Sequence, residues 1–219
     1  MEIKRILTRD GSDSLYVPAL DETYHSKHGA IQESNHVFIA NGFEFYREKN
    51  NPASVAILEF GFGTGLNTLL TFMAGRAIKI SYHSLEKYPV ADEIAFQLNY
   101  GTMLECPAVF KEIISCSWND WQEVSEDHTL LKEKTDFVDF TPSRTYDLIY
   151  FDAFAPNKQP ELWSVDMLKK CHMALKEEGV FVTYSAKGQL RRDLEALGFK
   201  VERLPGPPGK AEMLRATKA

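Results

Sequence analysis

The chain has 219 residues, of which 44% are apolar, 12% aromatic and 26% charged, as in ordinary globular proteins. This composition excludes disordered, collagen-like and small disulfide-rich proteins, and the length predicts one main domain. The net charge of −6 excludes a protein with a wholly basic, nucleic-acid-coating surface.

The first fifty residues predict a small extension that packs against the rest of the chain. Residues 15–18 favour a short strand, and the Asp-Gly-Ser sequence at residues 10–12 is typical of a turn. Residues 32–45 carry apolar side chains at a spacing that suits a short helix. We therefore expect an N-terminal extension over residues 1–50 and the main domain over residues 51–219.

From residue 54 onward, predicted strands alternate with predicted helices, which is the pattern of a parallel sheet covered by helices. The predicted strands are 55–60, 78–85, 129–134, 146–151 and 180–184, with 129–134 as the candidate edge strand because it is charged. The predicted helices are 66–73, 88–99, 164–175 and 187–197, and a final antiparallel pair is predicted at 199–204 and 212–217. The predicted fold class is a doubly wound α/β domain with a mostly parallel sheet and an antiparallel C-terminal strand.

A glycine-rich segment, EFGFGTGLN, stands where the first strand of the main domain turns into its first helix. In such sheets ligands bind beyond the carboxyl ends of the strands, so this loop should line the site. Glycines at positions 61, 63 and 65 let the backbone approach a ligand where a Cβ atom would collide. A dinucleotide fingerprint requires a further glycine where this chain has Leu66, so the pattern disfavours pyrophosphate binding.

The arrangement E-x-G-x-G-x-G instead resembles motif I of the class I methyltransferases, which use S-adenosylmethionine. The methionine ammonium of that cofactor favours a nearby acid, for which Glu59 is the candidate. Glu86, at the end of the second strand, is the candidate acceptor for both ribose hydroxyls, and Asp136 is the candidate acceptor for the adenine amino group. The predicted cofactor-binding residues are Glu59, Gly61, Gly63, Gly65, Glu86 and Asp136.

Asp152 follows the fourth strand, at the start of a loop that contains two prolines. Methyl transfer from a sulfonium is an in-line displacement, so the enzyme must hold the nucleophile, the methyl group and the sulfur collinear. An aliphatic amine has a pKa near that of lysine, about 10.4, and arrives mostly protonated at neutral pH. We therefore predict that Asp152 binds the amine and acts as a general base, and that Phe154 stacks on a planar base.

Several segments together resemble the tRNA 5-aminomethyl-2-thiouridine methyltransferase family, which also forms the N-terminal half of bacterial MnmC. They are EFGFGTGLNTL at 59–69, LEKYP at 85–89, FDAFAPNKQPELW at 151–163, TYSAKGQLRR at 183–192 and GKAEML at 209–214. Residues 20–39 are also similar to the opening segment of that family. The loop run D-x-F-x-P-x-K-x-P-E-x-W is the most specific of these motifs, whereas motif I occurs in many methyltransferases.

The resemblance implies a Rossmann-like class I fold and N-methylation of the aminomethyl group of 5-aminomethyl-2-thiouridine at the tRNA wobble position. The product is 5-methylaminomethyl-2-thiouridine, the cofactor is S-adenosylmethionine, and the partner is the tRNA anticodon loop. The loop reads Asp-Ala-Phe where the fused enzymes commonly have Asp-Gly-Phe. The chain also stops where their FAD oxidase domain would begin, so we expect a separate enzyme to supply the aminomethyl substrate.

Other functions remain open from the residues alone. The first alternative is a class I methyltransferase that acts on another amine, in a small molecule or in a protein. A nicotinamide oxidoreductase is a second alternative, which Leu66 disfavours. A third is a non-catalytic protein of the same fold that helps to dock tRNA.

The sequence also predicts the compartment and the absence of a metal. No apolar run approaches the roughly 20 residues that cross a bilayer, and residues 1–9 do not form a signal core, so we expect a cytoplasmic protein without a membrane partner. The three cysteines lack a C-x-x-C pattern and predict reduced, buried thiols, and three N-terminal histidines lack a fourth ligand. The cysteines are Cys106, Cys116 and Cys171, and the histidines are His25, His28 and His36.

The charge is unevenly distributed along the chain. From residue 187 to the C-terminus there are eight cationic and four anionic side chains. Such a segment predicts a local surface patch that meets phosphates on an otherwise acidic protein. Lys210, on a stiff loop rich in proline and glycine, is a further candidate for phosphate contact.

Overall fold

The structure, a computed structural model, describes residues 2–219. Its strands are β1 (Lys4–Leu7), β2 (Asp13–Val17), β3 (Glu22–Thr23), β4 (Ser54–Phe60), β5 (Lys79–Glu86), β6 (Trp121–Ser125), β7 (His128–Lys134), β8 (Tyr146–Phe151), β9 (Leu175–Thr183), β10 (Phe199–Pro205) and β11 (Glu212–Lys218). Its α-helices are α1 (Ala30–Ser34), α2 (Phe45–Asn50), α3 (Leu66–Ala74), α4 (Asp92–Ala95), α5 (Tyr100–Met103), α6 (Pro107–Ser115), α7 (Val165–Ala174) and α8 (Gly188–Ala196). A π-helical stretch, Asn35–Glu44, joins α1 to α2, and a 3₁₀ turn spans Pro160–Trp163.

The main sheet has eight strands in the order β10-β11-β9-β8-β4-β5-β7-β6. Strands β7, β5, β4, β8 and β9 are parallel, whereas β6 and β11 run antiparallel to their neighbours. The predicted doubly wound, mostly parallel α/β fold is therefore confirmed. Because β4 lies between β5 and β8, the chain changes direction across the sheet at β4, and the crevice beyond β4 and β8 is where such folds bind ligands.

Both faces of this sheet are covered by apolar side chains. Residue by residue, β8 is buried along its whole length, as expected for a central parallel strand. One core cluster contains Ile57 and Tyr150 together with Val37, Phe38 and Phe43 from the N-terminal helical segment. The N-terminal helical segment therefore packs on the same core as the sheet, and the domain boundary at residue 50 stays a prediction.

Strand β7 is not the edge strand that its charges predicted. The edge is β6, which pairs with β7 in antiparallel fashion and which was not predicted. The charge of Lys132 misled the prediction, since this side chain is buried (2% exposed) and its Nζ donates to the carbonyl of Ile114 at 2.8 Å. Its ammonium also lies over the rings of Phe62 and Trp118.

Two of the helical predictions differ from the structure. The predicted helix over residues 88–99 is reduced to the short α4, and helix α6 was not predicted. The backbone N–H of Asn99 donates to Asp13 Oδ2 at 2.9 Å, and the Asp13 N–H donates to Asn99 Oδ1 at 2.8 Å. This reciprocal pair fixes Asn99 just before α5, and a contact between residues so far apart in sequence has no local signal.

Two smaller predictions can be compared directly with the structure. All three cysteines are free and buried, as predicted. Within residues 2–219, no helix is both long enough and apolar enough to cross a membrane.

Candidate active site

The glycine loop after β4 is held between the ends of β5 and β8. The N–H groups of Gly61 and Phe62 both donate to the carbonyl of Leu85, at 3.0 and 3.1 Å. Gly61 has φ +102°, and a Cβ atom at this position would lie 2.8 Å from the carbonyl oxygen of Asp152. Only glycine fits this backbone, and its close approach brings the loop against the residue that the sequence predicts to be catalytic.

The loop forms one wall of a cavity of about 660 Å³ beyond the carboxyl ends of the parallel strands. Gly61 and Gly63 line this cavity, together with Glu86 and Asp136 from the ends of β5 and β7. Gly65 is absent from the lining; a Cβ atom at this position would lie 3.0 Å from the ring of Phe62 and 3.3 Å from Ile114 of α6. Other parts of the wall come from the N-terminal segment, from the loop after β8 and from the C-terminal loop, and they include Tyr24, Glu33, Asp152, Phe154, Tyr184 and Lys210.

Glu86 lies at the end of β5 with both oxygens partly engaged. Its Oε2 accepts the N–H of Gly63 at 3.1 Å, and its Oε1 accepts the N–H of Tyr88 at 2.9 Å. Burial raises the pKa of this carboxyl, and the backbone hydrogen bonds oppose the rise. Since each carboxylate oxygen has two lone pairs, both retain one acceptor site for a ligand in the cavity.

Asp136 lies beyond β7, at the same edge of the sheet. Its carboxylate forms an ion pair with Lys87 and accepts the N–H of Val138 at 3.1 Å. The hydrogen bond from Lys87 holds the pKa of Asp136 below its ordinary value. Asp136 is therefore an ionised acceptor in the cavity wall, and its predicted contact with adenine stays a prediction.

Glu59 is fully buried and does not line the cavity. Its Oε1 accepts from Asn67 Nδ2 at 3.0 Å and its Oε2 accepts from Ser84 Oγ at 2.6 Å. Burial raises the pKa of Glu59 to about 8. The role of Glu59 as the acid near the cofactor ammonium stays a prediction, and its position makes that effect an indirect one.

Asp152 lies at the end of β8 and reaches the cavity. Its backbone N–H donates to the carbonyl of Phe60 at 3.0 Å, and its Oδ2 accepts from Asn67 Nδ2 at 2.9 Å. Burial raises the pKa of Asp152 to about 7; the charge of Glu33 adds to the rise, and the Asn67 hydrogen bond and Lys210 oppose it. A carboxyl group with this pKa can both release and accept a proton near neutral pH.

The loop that carries Phe154 is fixed by three side-chain hydrogen bonds, one of them donated by Lys158 of the loop itself. Tyr184 donates its hydroxyl to the carbonyl of Ala153 at 2.8 Å, and Trp163 Nε1 donates to the carbonyl of Phe154 at 2.9 Å. Lys158 Nζ donates to the carbonyl of Leu20 at 2.7 Å. The ring of Phe154 meets the ring of Tyr24 edge to face, with centroids 5.3 Å apart, so two aromatic rings stand at the cavity wall.

Several residues of the cavity wall had no predicted role, among them Tyr24, Glu33 and Tyr184. Lys210 was a candidate for phosphate contact, but its Nζ lies 2.7 Å from Glu33 Oε1 and 3.6 Å from the centroid of the Tyr184 ring. Tyr24 and Glu33 lie inside the similar segment 20–39 and Tyr184 inside 183–192, so the motifs contained them. What the sequence lacked was the tertiary contact that brings them to Asp152.

The three histidines that were considered as metal ligands do not converge. His25 Nε2 contacts Thr64 Oγ1 at 2.7 Å, and His36 Nε2 contacts the carbonyl of Pro205 at 2.8 Å. His28 packs against Gly209 and contacts Arg9. Within residues 2–219, no group of three or more His, Cys, Asp or Glu side chains has the arrangement of a metal site.

Comparisons with known proteins agree with this geometry. A sequence model of the family described as S-adenosyl-L-methionine-dependent methyltransferase matches residues 124–219. The crystal structure of MNMC2 from Aquifex aeolicus superimposes with a TM-score of 0.77 at 25% identity, covering 98% of this chain and 70% of that one. The chain belongs to the S-adenosylmethionine-dependent methyltransferases.

The chain also matches part of several longer proteins. The tRNA 5-methylaminomethyl-2-thiouridine biosynthesis bifunctional protein MnmC of Burkholderia thailandensis is 30% identical over 215 residues, which are 90% of this chain and 32% of that protein. The MnmC protein of Leptospira interrogans is 31% identical over 210 residues, 89% of this chain and 32% of that protein. The methyltransferase thus spans about a third of the length of these relatives, and the resemblance indicated by its motifs is confirmed.

The cavity fits the cofactor that this family uses, S-adenosylmethionine. Its volume is within the range of about 300–1,000 Å³ that is usual for small-molecule sites. The glycine backbone, an acceptor at the end of β5 and an ionised acceptor beyond β7 provide the close backbone surface and the hydrogen-bond acceptors that a nucleoside without phosphates requires. The assignment of individual cofactor contacts to Glu86 and Asp136 stays a prediction.

Proposed function

We propose that this chain methylates the amine of the 5-aminomethyl group on 2-thiouridine at the wobble position of tRNA, giving 5-methylaminomethyl-2-thiouridine. The names of the relatives that it matches support a role in this modification. The observation that carries the proposal is that one cavity contains the glycine loop, Glu86, Asp152 and Phe154. The anticodon loop of tRNA is the proposed partner.

The substrate part of the cavity suits an amine attached to a planar base. Asp152 supplies a carboxylate, and Phe154 and Tyr24 supply aromatic surfaces close to it. Stacking of a base on such a ring contributes about 1–3 kcal/mol in single-strand binders. A carboxylate beside an aromatic wall therefore offers both groups of the substrate, the amine and the base, a matching contact.

The proposed mechanism rests mainly on Asp152. When bound, S-adenosylmethionine supplies a methyl group on a sulfonium that leaves as a neutral thioether. Asp152 accepts an N–H of the substrate amine, which directs the nitrogen lone pair, and it takes the proton that the nitrogen must lose. The hydrogen bonds that fix the loop after β8 keep this carboxylate and Phe154 in place during the transfer.

The experiment that tests the proposal is methyl transfer to tRNA from cells that lack this modification step and accumulate the aminomethyl nucleoside. The tRNA is incubated with the protein and labelled S-adenosylmethionine, digested, and its nucleosides are separated and identified by mass. We expect the label in 5-methylaminomethyl-2-thiouridine alone. Labelling confined to another nucleoside, a free amine or a protein would contradict the proposed substrate.

The matched control is the Asp152→Asn variant, which keeps the size of the side chain and removes its basicity. We expect this variant to bind S-adenosylhomocysteine like the parent protein and to transfer methyl at least about 10²-fold more slowly. Unchanged turnover would remove Asp152 from the proposed mechanism while leaving the substrate assignment intact.

A further inference from the structure

Asn67, in the first turn of α3, joins two buried carboxyl groups at the cavity. Its Nδ2 donates to Glu59 Oε1 at 3.0 Å and to Asp152 Oδ2 at 2.9 Å. The residue is only 3% exposed, and it lines the cavity while Glu59 does not. A side-chain amide has two N–H hydrogens, so these two hydrogen bonds use its whole donor capacity.

The two carboxyl groups are bound in different ways. Glu59 has both oxygens engaged, since Ser84 Oγ donates to Oε2. Asp152 has only Oδ2 engaged, and none of the hydrogen bonds among residues 2–219 involves its Oδ1. Because the backbone of Asp152 is tied to Phe60, the bond from Asn67 determines which carboxylate oxygen stays free.

We propose that Asn67 is a positioning residue that clamps Asp152 to Glu59 and so leaves one Asp152 oxygen free for the substrate amine. The identity of that amine rests on the proposed function, whereas the clamp itself does not. Asn67 acts through Asp152 and does not itself react.

The clamp also affects the charge of the pair. Asp152 is surrounded by Glu59 on β4, Glu33 on α1, Tyr184 after β9 and Lys210 before β11. Burial and Glu33 favour the protonated form of Asp152, whereas the Asn67 hydrogen bond and Lys210 favour the ionised form. If the amide is removed, Lys210 alone opposes protonation, so Asp152 should lose its proton only at higher pH.

The direct test is an NMR titration of Asp152 in protein labelled with ¹³C at the aspartate carboxyl carbons, without cofactor or substrate. Asp152→Asn identifies the signal by its loss. In Asn67→Ala we expect the Asp152 titration to move up by about one pH unit or more, the size expected when a hydrogen bond to a charged group is removed. Asn67→Leu, which fills the space of the amide, should give the same upward shift of the Asp152 titration. It serves as the test if the alanine variant does not fold.

Thr68→Val is the matched control, because Thr68 is the next residue of the same helix, is fully buried, and contacts neither carboxyl group through a hydrogen bond of residues 2–219. We expect it to change thermal stability without moving the Asp152 titration. An Asp152 titration that is the same in the parent protein, Asn67→Ala and Asn67→Leu would overturn the clamp.

Kinetics give a second measurement that a purely structural role would not affect. In the Asn67 variants the acid side of the pH profile of kcat should move in the same direction as the NMR titration, with the KM for S-adenosylmethionine changed less than threefold. A lower melting temperature with an unmoved pH profile would show that Asn67 only stabilises the fold. If the parent protein fails to methylate tRNA, the proposed function fails, but the NMR titration still decides whether the clamp exists.

Discussion

The carboxyl group of Asp152 should make methyl transfer depend on pH close to neutrality. Its pKa is raised to about 7 by burial, and the proposed base must be ionised to accept a proton. Activity should therefore rise with pH up to about 7 and level off above it, falling close to tenfold per unit on the acid side. The measurement is kcat at saturating tRNA between pH 5.5 and about 9.

A base with an unshifted pKa would give a different pH dependence of kcat. An ordinary exposed aspartate, with a pKa of about 3.9, would leave kcat constant through this range, and that result would contradict the assigned role. The residual activity of Asp152→Asn is the control, because without the carboxyl group it should show no acid limb near pH 7.

Phe154 should contribute to binding of the nucleoside and little to binding of the cofactor. Its ring meets Tyr24 at the cavity wall, so Phe154→Ala removes one of the aromatic rings that line the cavity. We expect the KM for tRNA to rise by about 5- to 160-fold, in line with the 1–3 kcal/mol that a base stack contributes. The affinity for S-adenosylhomocysteine, measured by calorimetry, should stay within about twofold.

Phe96→Ala is the matched control, since Phe96 is 45% exposed and lies outside the cavity lining. It should leave the KM for tRNA unchanged. If Phe154→Ala weakened the cofactor and tRNA equally, Phe154 would be a structural residue of the loop.

Positions at strand ends were the part of the cavity wall that the sequence predicted best, while the roles of these residues stay predictions. Asp152 and Glu86 follow buried strands, and the carboxyl ends of parallel strands meet at one edge, so their convergence follows from the topology. Asn67 and Glu33 are brought to Asp152 by helix packing and by the N-terminal segment. These contacts depend on tertiary structure, and no local pattern in the sequence contains them.

The loop between β4 and α3 should tolerate no side chain at its first glycine. In Gly61→Ala, the new Cβ would lie 2.8 Å from the carbonyl of Asp152, on a backbone with φ +102°. We expect the loop and the end of β8 to separate, with a decrease of about 2 kcal/mol or more in the free energy of unfolding. Urea denaturation measures this decrease, and cofactor binding should weaken in the same variant.

Gly188→Ala provides the control for this prediction. Gly188 opens α8, its closest neighbour to an added Cβ is Arg192 Nη1 at 3.4 Å, and its backbone is in an ordinary conformation. This variant should be as stable as the parent or up to about 1 kcal/mol more stable, because alanine favours the helix. Equal stability of the two glycine variants would remove the steric argument for Gly61.

Helices and strands could be predicted where the local sequence pattern of apolar residues or caps is strong. They could not be predicted where contacts with distant residues determine the structure. The serine-capped helix α7 and the antiparallel pair β10 and β11 match their predictions closely. Strand β6 was missed because its alternation is short, and β7 was placed at the edge because of its charged residues, Lys132, Glu133 and Lys134. A buried lysine with a carbonyl partner and two aromatic rings is a tertiary arrangement that reverses the usual interpretation of charge.

Across the whole molecule, fewer of the cations from residue 187 onward are available to a ligand than the sequence alone indicates. Five of the eight lie in ion pairs: Arg191, Arg203, Lys210, Arg215 and Lys218. Arg191 and Arg192 lie in α8, and Lys187 is the residue before it. This helix begins just after the carboxyl end of β9, at the end of the sheet where the cavity lies. They are the part of the tail that we expect to meet the phosphates of the proposed tRNA partner.

Binding of tRNA should therefore depend on salt through α8. We expect the triple variant Lys187→Ala, Arg191→Ala, Arg192→Ala to have a shallower dependence of the tRNA-binding constant on salt. The slope of log K against log salt concentration should decrease by about two units, because each phosphate that is no longer neutralised lowers the slope by roughly 0.7–0.9. Lys200→Ala is the control, since Lys200 is exposed at the start of β10, at the end of the sheet opposite the cavity. Filter binding between about 50 and 200 mM salt gives the slopes, and equal slopes for parent and triple variant would rule out this patch.

The most direct test of the whole account is a crystal structure of the chain with S-adenosylhomocysteine and an anticodon stem-loop that carries 5-aminomethyl-2-thiouridine. We predict the cofactor along Gly61 and Gly63 with its ribose hydroxyls on Glu86, the base beside Phe154, and the amine nitrogen within hydrogen-bond distance of Asp152 Oδ1. An amine bound away from Asp152, or a cofactor outside the cavity beyond β4 and β8, would contradict the account.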